Sequence, residues 1–328
     1  MSPTTFCDPP HRVHIVIYSG FKSFEAVAAA TVLDYANAHL AAVGKSPAYD
    51  IHLVAPKAGL IHSDTLIALQ AQGLDEVPTA HTAMVVGARD IEAAVSEHRR
   101  IVDWCRHEAA PLQRLVGVCS GAFFLAQAGL LDGLQATTHW SVAARLGSDF
   151  PAVKVQAEAI FIRNGRIWTC AGVCAVLDLS LALVEQDLGA DVALAVARDL
   201  VIYLKRPGGE PQFSQHLGSQ MTPHDGVREL QQWILGHLDQ TLDLDSLAAR
   251  ANMSPRNLRR VFHRHTGRSP AHFIERARLE QARRLLVDGD AALKRIAAQC
   301  GFGSEQHMRR VFQRHLGMTP RIYRAQNG

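Results

Sequence analysis

The chain has 328 residues, 48% hydrophobic and 20% charged, which suits two globular domains and excludes a disordered or fibrous protein. Its net charge of +3 is unevenly spread: from Asp225 onward 18 Lys and Arg stand against 10 Asp and Glu, while the first 224 residues hold 16 against 21. A basic final third on an acidic remainder points to nucleic acid as the partner of that third alone.

The opening, residues 1–12, is polar and carries Pro3, Pro9 and Pro10; the apolar run after it, 13–18, is too short for a signal peptide or membrane span. A cytoplasmic address without a membrane partner is the expectation. From there short apolar strands alternate with longer amphipathic segments, the pattern of an α/β domain with a mostly parallel sheet. Strands are expected at 13–18, 51–55, 83–87 and 115–118, helices at 24–42, 91–108 and 120–131. Short strands follow at 153–156, 159–163 and 167–170 with a turn at Asn164-Gly165, then helices at 175–188 and 192–204. The stretch 205–226, KRPGGEPQFSQHLGSQMTPHDG, is rich in Pro, Gly, Ser and Gln. It places a linker at 205–224 between a first domain at 13–204 and a second at 225–328.

The second domain reads as all-helical and contains an internal repeat. LRRVFHRHTGRSP at 258–270 and MRRVFQRHLGMTP at 308–320 agree at eight of thirteen positions. In the first copy a short helix at 247–251 turns at Asn252-Met253, Ser254 caps the next helix, Pro255 takes its first position and Gly267 stops it. The second copy repeats this with a helix at 296–300, a turn at Gly301-Phe302, a cap at Ser304 and a stop at Gly317. Helix, short turn, helix is the unit that sets its second helix in the DNA major groove. At 100° per residue Leu258, Val261 and Phe262 share one side of the first long helix; Arg256, Arg259, Arg260 and His263 share the other, with Asn257 beside them. The second copy buries Met308, Val311 and Phe312 and presents Gln306, Arg309, Arg310 and Gln313. Arg and Gln suit bidentate contacts to guanine and adenine. One such helix reads equally well as an ordinary surface helix; two copies in the same punctuation favour DNA. A long helix at 270–287 would hold them apart, so that they enter major-groove faces roughly 34 Å apart.

These residues, and GFGSEQHMRRVFQRHLGMTPRIYR above all, resemble the C-terminal signature of the AraC family. The resemblance covers 225–324 and implies base contacts from Arg256, Arg259 and Arg260 in the first unit and Glu305, Gln306 and Arg310 in the second. Glu305 either accepts from a cytosine amino group or caps its helix.

The other motif is LVGVCSGAFFLAQAGLL, a strand running through G-x-C-x-G directly into a helix. Gly117 and Gly121 allow the sharp turn, which is expected to leave Cys119 exposed at a helix N-terminus with a lowered pKa. The domain resembles the class I glutamine amidotransferase-like superfamily, and the whole chain resembles its GlxA-type regulators. That implies a flavodoxin-like parallel sheet with a nucleophile elbow, and a ligand site at Glu25, Gly87, Cys119, Ser120 and His139, with Cys170 lining the cleft or simply buried. His139 reads equally as a packed residue at a helix start. The late H-x-E that completes an amidotransferase triad is missing, and Ser120 stands where the protease branch has histidine, so a regulator rather than an enzyme is expected.

Six cysteines (Cys7, Cys105, Cys119, Cys170, Cys174, Cys300) lack any C-x-x-C pair, and His11, His14, His52 and His62 show no ligand spacing, so neither metal nor cofactor is expected. The expected function is a promoter-binding homodimer sensing a small effector, an amino acid or other small nitrogenous metabolite. A cysteine hydrolase or glyoxalase-like enzyme tethered to DNA, and a redox sensor acting through Cys119, are the alternatives.

Overall fold

A computed structural model of the chain describes residues 10–202, 206, 208–209, 212, 219, 222–287, 289 and 291–327. They divide into two compact units, Met1–Gln212 and Phe213–Gly328. The first contains, in chain order, β1 (His11–Val16), α1 (Ser23–Ala42), β2 (Tyr49–Ala55), β3 (Gly59–His62), β4 (Ala68–Gly73), β5 (Thr82–Val85), α2 (Ile91–Glu97), α3 (Arg99–His107) and β6 (Arg114–Val118). Then come α4 (Ala122–Gln127), β7 (Gln135–Ala136), α5 (Trp140–Asp149), β8 (Lys154–Val155), β9 (Phe161–Asn164), β10 (Ile167–Cys170), α6 (Ala175–Leu188) and α7 (Ala190–Asp199).

Eight strands form one sheet in the order β3-β4-β2-β1-β5-β6-β10-β9, with β7 and β8 paired separately. The six central strands are parallel and both edges antiparallel. Without the edges and β4, the order β2-β1-β5-β6-β10 is the flavodoxin-type winding, in which ligands meet the carboxyl ends of the strands. Helices α1, α6 and α7 pack together as one layer, and α2, α3 and α4 as another. Strands β5 and β6 are accordingly buried at every residue, as parallel strands covered on both faces must be.

Several expectations are corrected. The helix read at 91–108 is two helices broken at His98 (φ −107°, ψ 46°). The helix read at 120–131 is a 3₁₀ turn, Cys119–Gly121, followed by the short α4. The hairpin β3–β4 was not legible, because its residues are half exposed and carry no strong apolar alternation. Residues 203–204 of the helix read at 192–204, and most of the expected linker, lie outside the described residues. Of the rest, Arg206 pairs with Asp178 at 2.7 Å, the Gly208 carbonyl accepts from Ile160 at 2.8 Å, and Gln212 donates to the Thr138 carbonyl at 2.9 Å. These residues therefore pack onto the first unit.

At the amino ends of the strands Arg114 grips Asp187 with two bonds of 2.8 and 2.6 Å, and Tyr49 donates to the same carboxylate at 3.0 Å. This buried pair pins the end of α6 to β6.

The second unit holds α8 (Asp225–Gly236), α9 (Leu244–Arg250), α10 (Pro255–Thr266), α11 (Pro270–Val287), α12 (Leu293–Gln299), α13 (Glu305–Leu316) and α14 (Pro320–Asn327). It has two cores. Phe273, Ile274 and Ala277 from the start of α11 join Val227, Ile234, Leu258 and Phe262 in one. Leu279, Ala282 and Leu286 from its end join Ile296, Met308, Val311 and Phe312 in the other. The expected connector is thus also a wall of both cores. Glu275 on α11 bonds Arg314 at 3.0 Å and His315 at 2.7 Å at the end of α13, which fixes that helix against the connector.

Candidate functional site

Cys119 follows β6 and adopts φ +56°, the left-handed conformation of a nucleophile elbow. The close approach this demands is made by Gly121: a Cβ there would lie 2.1 Å from the Val85 carbonyl oxygen. The same carboxyl edge of the sheet supplies Glu25 from α1, Gly87 after β5, Ser120 at the elbow, and Cys170 and Gly172 at the end of β10. The Glu25 carboxylate is fully buried and accepts from the Gly87 amide at 2.8 Å and the Val173 amide at 3.2 Å. Ser120 Oγ accepts from the Ala88 amide at 3.0 Å and donates to the Ala88 carbonyl at 2.9 Å.

The expected exposure of Cys119 is corrected: its side chain is fully buried, beneath Gly172. Burial, reinforced by the neighbouring Glu25 charge, pushes its thiol up to about 12, overriding the helix N-terminus and the opposing pull of Lys22. The anticipated lowering therefore does not occur. Lys22 is the residue the sequence did not reveal. Its Nζ donates to Cys119 Sγ at 3.1 Å and lies 3.9 Å from Glu25 Oε1. Burial works against its charge, but Cys119 and Glu25 outweigh burial and hold the ammonium above its ordinary value. Glu25 is raised, by burial first, with Lys22 and the Gly87 amide opposing.

The expected cluster is only partly assembled. Glu25, Gly87, Cys119, Ser120 and Cys170 come together; burial raises the Cys170 thiol, whose sulfur faces the Cys119 and Gly172 amides. His139 stands apart in its bonding. It caps α5, with Nδ1 accepting the Ser141 amide at 3.4 Å and meeting Ser141 Oγ at 2.7 Å. Burial, then the charge of Lys22, lowers its pKa, so it borders the site without touching the thiol.

In the second unit the caps fall where they were expected. Ser254 accepts from Asn257 and Ser304 from His307, and Gly267 and Gly317 end their helices at φ +69° and +67°. Leu258, Phe262, Met308, Val311 and Phe312 are buried, Val261 half-buried. Arg256, Arg259, Arg260, His263, Gln306, Arg309 and Arg310 are exposed, with Asn257 and Glu305 half-buried. Arg260 donates to Asn257 at 2.9 Å, and Glu305 pairs with Arg309 at 3.7 Å rather than capping α13.

A model of the DJ-1/PfpI family matches residues 11–186, and a helix-turn-helix domain model matches 247–326. The HTH-type transcriptional regulator GlxA of Rhizobium meliloti is 31% identical over 296 residues, spanning 86% of this chain and 87% of GlxA. This chain belongs to the AraC-type helix-turn-helix regulators with an N-terminal DJ-1/PfpI domain. Another relative, the regulator GbdR of Pseudomonas aeruginosa, is 29% identical over 263 residues, 80% of this AraC-type chain and 71% of GbdR. The crystal structure of an AraC family transcriptional regulator from Pseudomonas putida matches 58% of this regulator and 100% of its own chain at a TM-score of 0.51 and 23% identity, which shows a shared fold. No helix among the described residues is long and apolar enough to cross a membrane.

Proposed function

We propose that this regulator reads a promoter with α10 and α13 together, as a homodimer in the cytoplasm, and that its DJ-1/PfpI domain senses a small effector. The observation that carries the DNA reading is that each of these helices buries its apolar side in its own core while leaving arginines outward. Arg256, Arg259 and Arg310 have no partner among the described residues, so their donors are available to bases and phosphates. Asn257, Arg260 and His263 complete the first reading face; Glu305, Gln306 and Arg309 complete the second.

The N-terminal site supports sensing over turnover. Neither hydrogen-bond partner of the Cys119 thiol, Lys22 or Glu25, is a histidine, and the Gly87 amide that would steady an oxyanion is already bound to Glu25. Effector control requires unequal affinity for two arrangements of the chain. A paired ammonium and carboxylate suit an amino acid or other small nitrogenous compound, bound where Lys22, Glu25 and His139 border the elbow.

Footprinting of the full chain on genomic fragments at fixed salt tests the DNA reading, with two protected major-groove segments about one helical turn apart expected. A footprint confined to one segment and unchanged in Arg310→Ala overturns it. Repeating the footprint with amino acids tests sensing; occupancy insensitive to all of them removes that part.

A further inference from the structure

We infer that Lys22 and Cys119 are the two ends of an oxidatively formed covalent bridge, Nζ–O–Sγ, made with dioxygen. Three observations carry it. The two reacting atoms are already in contact at 3.1 Å, and a single oxygen atom fits between them after a small closing movement. The sulfur is sealed: Cys119 is fully buried, with Gly172 packed so tightly over it that a Cβ there would come 2.5 Å from Sγ. Water and bulky oxidants are held off, whereas dioxygen, small and apolar, permeates a packed interior. Lastly, Glu25 Oε1 stands 3.9 Å from Nζ and burial raises its pKa, so the proton that the ammonium must lose has an acceptor close by; the same pairing favours the charged amine and makes the reaction slow.

The chemistry balances. The neutral Lys22 amine and the Cys119 thiol bring three hydrogens between them. One dioxygen receives two electrons from the nitrogen and two from the sulfur. One of its oxygen atoms becomes the bridge, the other leaves as water with two of the hydrogens, and the third hydrogen stays on the nitrogen. An exposed cysteine instead climbs through sulfenic to sulfinic acid, because peroxide and water reach the oxidised sulfur. Here an amine nitrogen lies against the sulfur, so as the O–O bond breaks one oxygen atom bonds to both, through S–O and N–O bonds, instead of remaining on sulfur as sulfenic acid. The bridge would tie the residue preceding α1 to the elbow that opens α4, and a thiol reductant would release it only when that elbow opens. Nothing in this proposal depends on DNA binding or on an effector.

The test uses the full chain, purified under reductant, then held in air-saturated buffer, quenched with iodoacetamide and weighed intact. The expected product is about 14 Da heavier, one oxygen in and two hydrogens out. Dithiothreitol reverses it once the chain is denatured, and after trypsin the Lys22 and Cys119 peptides are found joined. Lys22→Arg keeps a cation against the sulfur but should lose the product, as should Cys119→Ser. If neither variant folds, the joined peptide from the unaltered chain decides the matter alone. Oxygens added to Cys119 without hydrogen loss, a Cys119–Cys170 disulfide, or an unchanged mass after prolonged aeration would each overturn the proposal.

Discussion

Glu25 accepts the Gly87 amide at 2.8 Å while lying against the Cys119 thiol, so one carboxylate occupies both the oxyanion donor and the nucleophile. In an acyl-transfer site that amide points at developing charge and must be free when substrate arrives. Here it spends its proton on a buried carboxylate whose desolvation it offsets. The elbow's geometry is kept while this amide and this thiol are both engaged by one buried carboxylate.

Thiol labelling should follow this inversion. At pH 7 iodoacetamide is expected to modify the exposed Cys174 well before the buried Cys119, whose thiol is pushed up to about 12. Peptide mapping of partly alkylated protein checks the order; preferential labelling of Cys119 would mean that the elbow opens in solution.

Acid should weaken the first domain between pH 7 and 5, before most carboxylates protonate. Burial, then the Arg114 charge, lowers His11 to about 3, and burial, then His52, lowers His14 to about 4. Both folded values lie below the unfolded value of about 6.5. Below pH 6.5 the unfolded chain therefore binds more protons, and stability falls as pH drops, by at most about 1.4 kcal/mol per pH unit for each histidine. Above 6.5 the effect is absent. Urea midpoints at pH 5 and 7 measure it, and His14→Phe should reduce the difference to the share left by His11; equal midpoints in the unaltered protein refute the assignment.

The Arg114–Asp187 pair offers a sharper stability test. Their side chains are 8% and 5% exposed, so Asp187→Ala strands a guanidinium among buried groups. A loss of about 3–5 kcal/mol is expected, a large part of a typical domain's stability of about 5–15 kcal/mol. Thermal melting of the variant should show it, whereas exchange of the exposed Arg106–Asp103 pair should leave the melt within about 1 kcal/mol of the unaltered chain.

What was legible in the sequence was whatever leaves a local, periodic or punctuated trace. Ser254, Pro255, Gly267 and their counterparts Ser304 and Gly317 act within one helical turn of their own positions, and each cap appeared where it was read. The elbow was legible as a spaced motif: Gly117 makes room for Ala122 a few residues on, and Gly121 stands in the G-x-C-x-G spacing although the carbonyl that demands it, Val85, lies on the neighbouring strand. Lys22 was not, because its partner is 97 residues distant and only the sheet order brings them together. The protonation of Cys119 was misjudged because a helix N-terminus is visible in a sequence and desolvation is not. Glu305 was left between two roles, and its partner Arg309, one turn along, was in plain view as an i,i+4 pair.

That ion pair makes the two helices proposed to read DNA unequal. Arg260, held by Asn257 at 2.9 Å, and Arg310, without a partner among the described residues, are the arginines best placed for guanine. Alanine at either is expected to cost on the order of 1–3 kcal/mol on the preferred sequence and to relax base preference at one position. Arg309 is paired with Glu305 at 3.7 Å, so Glu305→Ala should release a cation to the phosphates: affinity rises for all sequences alike, and the salt dependence steepens by about one unit. Competition binding against cognate and scrambled duplexes over a range of salt separates these outcomes. If Arg260→Ala and Arg310→Ala weaken both duplexes equally, these arginines hold phosphates, and specificity must come from Gln306, Gln313 and the shape of the DNA.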